Sequence, residues 1–252
     1  MQPHFESALT ADYIDSMGTD ATVVAAAKVS TAGDESVKAL NLDPNDAAGL
    51  INFLMKNRHG TPFEHNAFTF FVQAPIAVFR EFQRHRIGFS YNEESGRYKQ
   101  LEPHFYIPPA NRPLVQEGKP GHYIFVPGTD AQHDLVVAEI KGCCTSAYES
   151  YEYMMSQGIA KEVARGVLPV YIYSSMWVTC NARSIMSFLS LRSTKGGFID
   201  FFGEEFDAPE EPVFPSYPMW EIEQVALRME QAFAQKMPIT HTAFRQHGSV
   251  SP

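Results

Sequence analysis

The sequence predicts an α+β protein, on two observations. Phe68, Phe70 and Val72 alternate with Thr69 and Phe71, the period of a strand with both faces largely covered. Residues 131–157 instead place Val136, Ile140, Cys143, Ala147, Tyr151 and Met154 on one helical stripe. Helices and well-separated strands in this order suit helical and sheet layers around one core.

Taken in order, residues 20–30 are alanine-rich and predict a short helix. Asp43-Pro44 opens a second, with Asp as N-cap and Pro at the first helical position. Leu50, Phe53 and Leu54 continue it to about Asn57, before Gly60-Thr61-Pro62 breaks it. After the strand at 68–72, Pro75 opens a helix through Ile76, Phe79 and Phe82. Its extension through Arg84-His85-Arg86 to Gly88 would set Arg80 and Arg84 on one face, with a loop following to Arg97. The proline-rich stretch from Pro103 to Pro127 reads as irregular and superficial. A short helix at 160–168 stops at Pro169, and a strand from Tyr171 to Cys180 follows. Asn181 then caps a helix containing Ile185, Phe188, Leu189 and Arg192. A last helix ends near Lys236, and nothing chemical is legible in the tail after Thr240.

The 252 residues need be no more than one domain. A net charge of −9 argues against a general nucleic-acid binder. No apolar run is long enough for a membrane span, the N-terminus lacks a secretory pattern, and a cytoplasmic location is the default. Cys143, Cys144 and Cys180 form neither a zinc pattern nor a disulfide framework. No metal is expected, since the spacing of His59 and His65 matches no zinc pattern.

Against this acidic background, residues 80–98 form a positive island. Arg80, Arg84, Arg86 and Arg97 are crowded among His85, Ser90, Asn92 and Ser95. Arginine keeps its charge and offers a planar fork of donors for phosphate and carboxylate oxygens. A solvated basic face and a site for a discrete anionic ligand both fit such a run.

Arg84-His85-Arg86, eight residues, then Ser95-Gly96-Arg97 resembles the RHR-x(7,8)-S signature of flavin-dependent thymidylate synthases. Three further stretches extend the resemblance. His59 to His65 is similar to the family's GH-x-TPFEH form, although Arg-His-Gly stands where Gly-His-x is usual. Ala164-Arg165-Gly166-Val167-Leu168-Pro169 matches AR-x-x-LP. Asn181-Ala182-Arg183-Ser184 through Arg192 matches the family's second strong motif. From Thr194 to about Tyr217 the resemblance fails, and that stretch reads as an insertion, a surface loop or interface arm. A polar residue that accompanies the flavin in the family is there replaced by Gly196 or lost. The match resumes at Met219-Trp220-Glu221-Ile222, with Met where Gln is usual.

The resemblance implies a fold of helices around a mainly antiparallel sheet and a homotetramer with FAD at subunit interfaces. It implies reductive methylation of dUMP to dTMP, with 5,10-methylenetetrahydrofolate as carbon donor and NADPH reducing FAD, without a cysteine nucleophile. The dUMP contacts it implies are Glu81, Gln83, Arg84, Glu94, Ser95, Gly96, Arg97, Arg165 and Arg192. Those for FAD and folate are His59, Thr61, Arg84, His85, Arg86, Glu93, Asn181, Arg183 and Ser187. Glu81 replaces a Gln that is frequent in the family, and a carboxylate there would repel phosphate. Arg192 is the implied catalytic residue, set at the pyrimidine edge, whereas composition alone lets it snorkel from an apolar helix to water. Three rival readings stay open. They are a nucleic-acid binder using 80–98, a flavin- and nucleotide-binding protein without methyl transfer, and a histidine-dependent metalloenzyme.

Overall fold

The computed structural model describes residues 1–42, 44–119, 122–193, 198–199, 205–206, 213 and 216–252. The chain begins with β1 (His4–Glu6), β2 (Thr10–Met17), α1 (Asp20–Ala32) and a 3-10 stretch (Gly33–Asn41). Next are α2 (Pro44–Lys56), a 3-10 turn (Thr61–Glu64), β3 (Ala67–Pro75), α3 (Ile76–Phe82) and β4 (Phe89–Glu93). β5 (His104–Tyr106), β6 (Val115–Lys119), β7 (His122–Val126), α4 (Asp130–Ser156) and α5 (Lys161–Ala164) follow, with a 3-10 turn at Arg165–Val167. The remainder is β8 (Tyr173–Cys180), α6 (Ala182–Arg192), a minimal antiparallel pair β9 (Phe198–Ile199) and β10 (Glu205–Phe206), α7 (Trp220–Lys236) and α8 (Pro238–Gln246). The class is mixed helix and antiparallel sheet, as expected.

Contacts divide the chain into two compact units. The first holds Met1–Leu9, Gln73–Gln83 and Glu93–Met176. Its core joins Leu101, Phe105, Cys144, Tyr148, Tyr151, Ala164 and Ile172. α4 starts at a reciprocal cap, in which the Gln132 amide donates to Thr129 Oγ1 and the Thr129 amide donates to Gln132 Oε1. The buried stripe of α4 runs through Cys144, Tyr148 and Tyr151, and Cys143 is exposed. Ile140, Tyr151 and Met154 of the stripe drawn from sequence do face the core, whereas Cys143 and Ala147 give way to Cys144 and Tyr148. The tyrosines decide it: Tyr148 donates its hydroxyl to the Leu101 carbonyl at 2.9 Å, which satisfies its polar tip inside the core.

The second unit holds Thr10–Val72, Arg84–Asn92 and Trp177–Pro252. Its four-stranded sheet has the order β2-β3-β8-β4. Phe68, Phe70 and Val72 are fully buried, and Phe68 meets Phe233 of α7 edge-on at 5.7 Å. Phe71, on the other face of β3, lies against Trp177 at 6.1 Å. Asp20 at the start of α1 caps α8, accepting from the amides of Ile239 and Thr240 and from the Thr240 hydroxyl. Burial pushes the Asp20 carboxyl up, and these hydrogen bonds, led by the Thr240 hydroxyl, oppose the shift.

Several expectations change. α3 ends at Phe82, so Arg84 is not on it and the Arg80–Arg84 helical face does not exist. The stretch after Gly88 is a strand, β4, not a loop. The proline-rich segment contains the antiparallel hairpin β6–β7. The tail forms α8, which supplies buried charged groups to the core. The N-cap expected at Asp43, and Gly196 with most of 194–217, lie outside the described residues.

Candidate active site

A cleft of about 460 Å³ opens in the first unit, within the range of small-molecule sites. Its floor is made by chain crossings: the amides of Ile76 and Ala77 donate to the carbonyls of Ile172 and Val170, and the Glu94 amide donates to Ser175. α3 brings Arg80 and, just past its end, Gln83. The end of β4 brings Glu93, and the 3-10 turn after α5 brings Arg165. Ser95 closes a turn, its carbonyl accepting from the amides of Tyr98 and Lys99. Gly96 sits where a side chain would press on Leu101 and on the Arg165 stem at 3.1–3.3 Å, so its missing Cβ lets the turn approach Arg165.

The cleft carries two guanidiniums, Arg80 and Arg165, against the carboxylates of Glu93, Glu94 and Glu162. Burial raises the Glu93 pKa above its ordinary value; Ser174, Arg80 and Arg165 pull it back, and Glu94 adds to the rise. Glu94 is ion-paired to Lys99 at 2.9 Å. Glu162 accepts from Arg97 Nε at 2.8 Å, and Arg97 also lies over the Tyr98 ring. Arg80 and Arg165 are exposed and have no ion pair among the described residues.

In the second unit, Arg84-His85-Arg86 occupies the turn between α3 and β4. His85 is buried, with its ring edge-on to Phe188 at 4.9 Å and near Phe89 at 6.1 Å, and its carbonyl accepts from the Tyr91 hydroxyl. Burial, with Arg192 adding, pulls the imidazole down to about 4, so it is neutral at pH 7. Its Nε2 is buried with no hydrogen-bond partner among the described residues. Arg84 and Arg86 project to solvent on either side. Gly88 adopts φ +68°, and a Cβ there would collide with Ser184 Oγ, which donates to the Ile87 carbonyl at 2.9 Å. The turn is thus docked on the start of α6, where Asn181 Oδ1 accepts from the Ser184 amide.

Residues 12–239 match the family model described as thymidylate synthase complementing protein, Thy1. The chain belongs to this family. Relatives at full length agree with this Thy1 assignment. The chain is 51% identical to the flavin-dependent thymidylate synthase of Streptomyces coelicolor, over 98% of this chain and 94% of that protein. It is 47% identical to the flavin-dependent thymidylate synthase of Tropheryma whipplei TW08/27, over 100% and 98%. Among solved structures it resembles the UMP/dUMP methylase PolB from Streptomyces cacaoi bound with 5-Br dUMP. That likeness has a TM-score of 0.88 and 45% identity, over 98% of this chain and 99% of that one.

The residues singled out from sequence fall into distinct places in this Thy1 chain. Gln83, Glu94, Ser95, Gly96 and Arg165 line the cleft, and so does Glu93, which the resemblance had allotted to the flavin. Glu81 and Arg97 do not line it, and Arg84 and Arg192 belong to the second unit. Arg192 ends α6, partly buried. Ser187 is exposed on the same helix, and His59 and Thr61 are exposed around the 3-10 turn, with the His59 ring 5.9 Å from Phe53. Arg183 is engaged by Glu64 at 2.6 Å and by the backbone oxygen of Pro252 at 2.8 Å. Sequence reasoning missed Arg80, Glu162 and Ser174 as lining groups. Arg80 was legible as a member of the arginine run, whereas Ser174 and Glu162 carry no local signal. No cysteine lines the cleft; burial pushes Cys144 up to about 11, with Cys143 adding, and pushes Cys180 higher still.

Proposed function

We propose that this chain is a flavin-dependent thymidylate synthase that converts dUMP to dTMP. The carbon would come from 5,10-methylenetetrahydrofolate and the reducing equivalents from NADPH. The observation that carries this is the cleft of the first unit. It offers two exposed guanidiniums with no ion pair among the described residues, a serine, a close-approach glycine and no cysteine. Such a site suits a nucleoside monophosphate and offers no cysteine to attack the pyrimidine ring.

Within it, Arg165 and Arg80 bind the phosphate, Ser95 and the backbone at Gly96 hold phosphate or sugar oxygens, and Gln83 contacts the nucleotide. Arg97 and Glu94 set the rim through their pairs with Glu162 and Lys99. Glu81 and Arg84 complete the nucleotide contacts that the family resemblance suggests. Arg192 stabilises negative charge on the uracil as N3 loses its proton, which raises electron density at C5.

The donor set of the second unit fits FAD. Exposed Arg84 and Arg86 flank a neutral, buried His85 whose Nε2 lacks a partner among the described residues, an arrangement suited to a diphosphate and a polar ring edge. His59, Thr61, Glu93, Asn181, Arg183 and Ser187 are the further flavin and folate contacts. When bound there, FAD would supply the hydride chemistry that completes the methyl group. The working assembly on this reading is a homotetramer with FAD between subunits, in a single synthase domain with an insertion at 194–217.

The test is dTMP formation from dUMP, methylenetetrahydrofolate and NADPH, with and without FAD. UMP is a second substrate in the same assay, because PolB is described as a UMP/dUMP methylase. Product that requires FAD and NADPH, and a dUMP KM raised at least tenfold in Arg165→Ala, supports the proposal. A yellow protein that NADPH bleaches without forming product would point to a flavoprotein that lacks methyl transfer. Neither flavin nor product would overturn the reading.

A further inference from the structure

Two short strands of the first unit bring together side chains a hundred positions apart. β1 and β5 pair in parallel, with His4 opposite His104 and Glu6 opposite Tyr106. Because side chains alternate along a strand, His4 and Glu6 leave β1 on the same face. His104 joins them from β5. One ligand atom from each residue lies within 4.8 Å of the others. Glu6 Oε1 is 2.7 Å from His104 Nε2, and Glu6 Oε2 is 3.6 Å from His4 Nε2. The two imidazole rings stand 4.9 Å apart.

An ordinary surface ion pair would need only one of these histidines, and two protonated rings so close would repel. His104 is held in place: its ring stacks on Tyr173 at 4.1 Å, and Tyr173 donates its hydroxyl to the Ala8 carbonyl at 2.6 Å. Fixed ring orientation of this kind is what outer partners give to metal-ligating histidines.

We propose that His4, Glu6 and His104 form a divalent transition-metal site, best suited to Zn²⁺, which clips β1 onto β5. Two imidazole nitrogens and one carboxylate oxygen are a borderline donor set that Zn²⁺ accepts, whereas Mg²⁺ and Ca²⁺ require oxygen-rich cages. Tetrahedral Zn²⁺ with bonds of ~2.0–2.1 Å sets its donors about 3.3 Å apart. The two Glu6–histidine spacings, one to each carboxylate oxygen, bracket that value, and the exposed His4 side chain can adjust toward it. A water completes the coordination on the solvent side. The site has no part in methyl transfer and stands on geometry separate from the proposed function.

The test uses untagged full-length protein stripped with a chelator. Co²⁺ is added while its visible d–d absorption is followed, and Zn²⁺ is then titrated against a chromophoric chelator. We expect one equivalent of Co²⁺ per chain, displaced by Zn²⁺. Affinity should fall at least tenfold in His4→Ala and in Glu6→Gln. Zn²⁺ should raise the Tm of the wild type and not of His4→Ala, an exposed position whose loss leaves the fold intact. Synthase activity should be the same in stripped and Zn²⁺-loaded protein. Absence of a stoichiometric Co²⁺ spectrum, or equal affinity in wild type and His4→Ala, would overturn the proposal.

Discussion

Glu230 is fully buried in α7, and its charge is matched by two groups from α8 and one from the end of α6. Its Oε1 accepts from His241 Nε2 at 2.9 Å and from Arg245 Nε at 2.7 Å. Its Oε2 accepts from the Ser193 hydroxyl at 2.7 Å, and that hydroxyl accepts from Arg245 at 3.0 Å. Glu230→Gln keeps the shape and one acceptor but removes the carboxylate charge that faces the buried Arg245 and His241. Breaking a buried pair from one side costs about 3–5 kcal/mol, and the retained acceptor places this change near 3 kcal/mol. For a chain of this length that is a fall in Tm of roughly 6–12 °C. Burial alone would raise the Glu230 pKa, but the His241 hydrogen bond and the Arg245 and His241 charges outweigh it and leave it below the ordinary value. A carboxylate with a depressed folded-state pKa stabilises the fold above its unfolded pKa, and that stability is lost as pH falls through the folded value. Urea unfolding at pH 7 and at pH 4 measures both effects. A loss under 1 kcal/mol at pH 7, or an acid slope identical in wild type and Glu230→Gln, would refute the reasoning.

His85 is lowered from 6.5 to about 4, so the unfolded chain binds a proton there before the folded one does. The stability that goes with the neutral ring is present in full above pH 6.5 and lost progressively as pH falls toward 4. His85→Phe should flatten that part of the stability profile in denaturant titrations, and an unchanged profile would contradict the assignment. Gly88→Ala forces an L residue into the left-handed region and against Ser184, and should cost about 2 kcal/mol. Adding Ser184→Ala should recover the steric part only, as read from urea midpoints. Alkylation with iodoacetamide at pH 7 should modify the exposed Cys143 and leave dTMP formation intact. Loss of activity that tracks Cys143 modification would count against a thiol-independent route.

Much of the candidate site was legible because its chemistry is concentrated locally. The run from Arg80 to Tyr98, the turn with Arg165 and the cap at Asn181 each announce themselves by composition over a few residues. What local pattern misjudged was continuity. α3 stops at Phe82, because the next residues serve a turn whose buried His85 packs on Phe188, a contact from a hundred positions away. The segment 89–93 became a strand by joining β8, and its five residues, mixing polar and aromatic side chains, carry too little alternation to declare it.

By itself the sequence determined the helix and strand class, the positions of the long helix α4 and the strand β3, and the arginine-rich island. These depend on periodicity, capping and composition, which act over one or two turns of chain. The tertiary structure alone decided which arginines share a cleft, that Glu93 joins them, and that Arg183 is spent on Glu64 and the Pro252 backbone. It also decided that His4, Glu6 and His104 meet, and that α8 delivers Arg245 to a carboxylate in α7. Each of these is a pairing between distant segments, set by strand register and by burial that must satisfy every charge it encloses, and no local pattern encodes it.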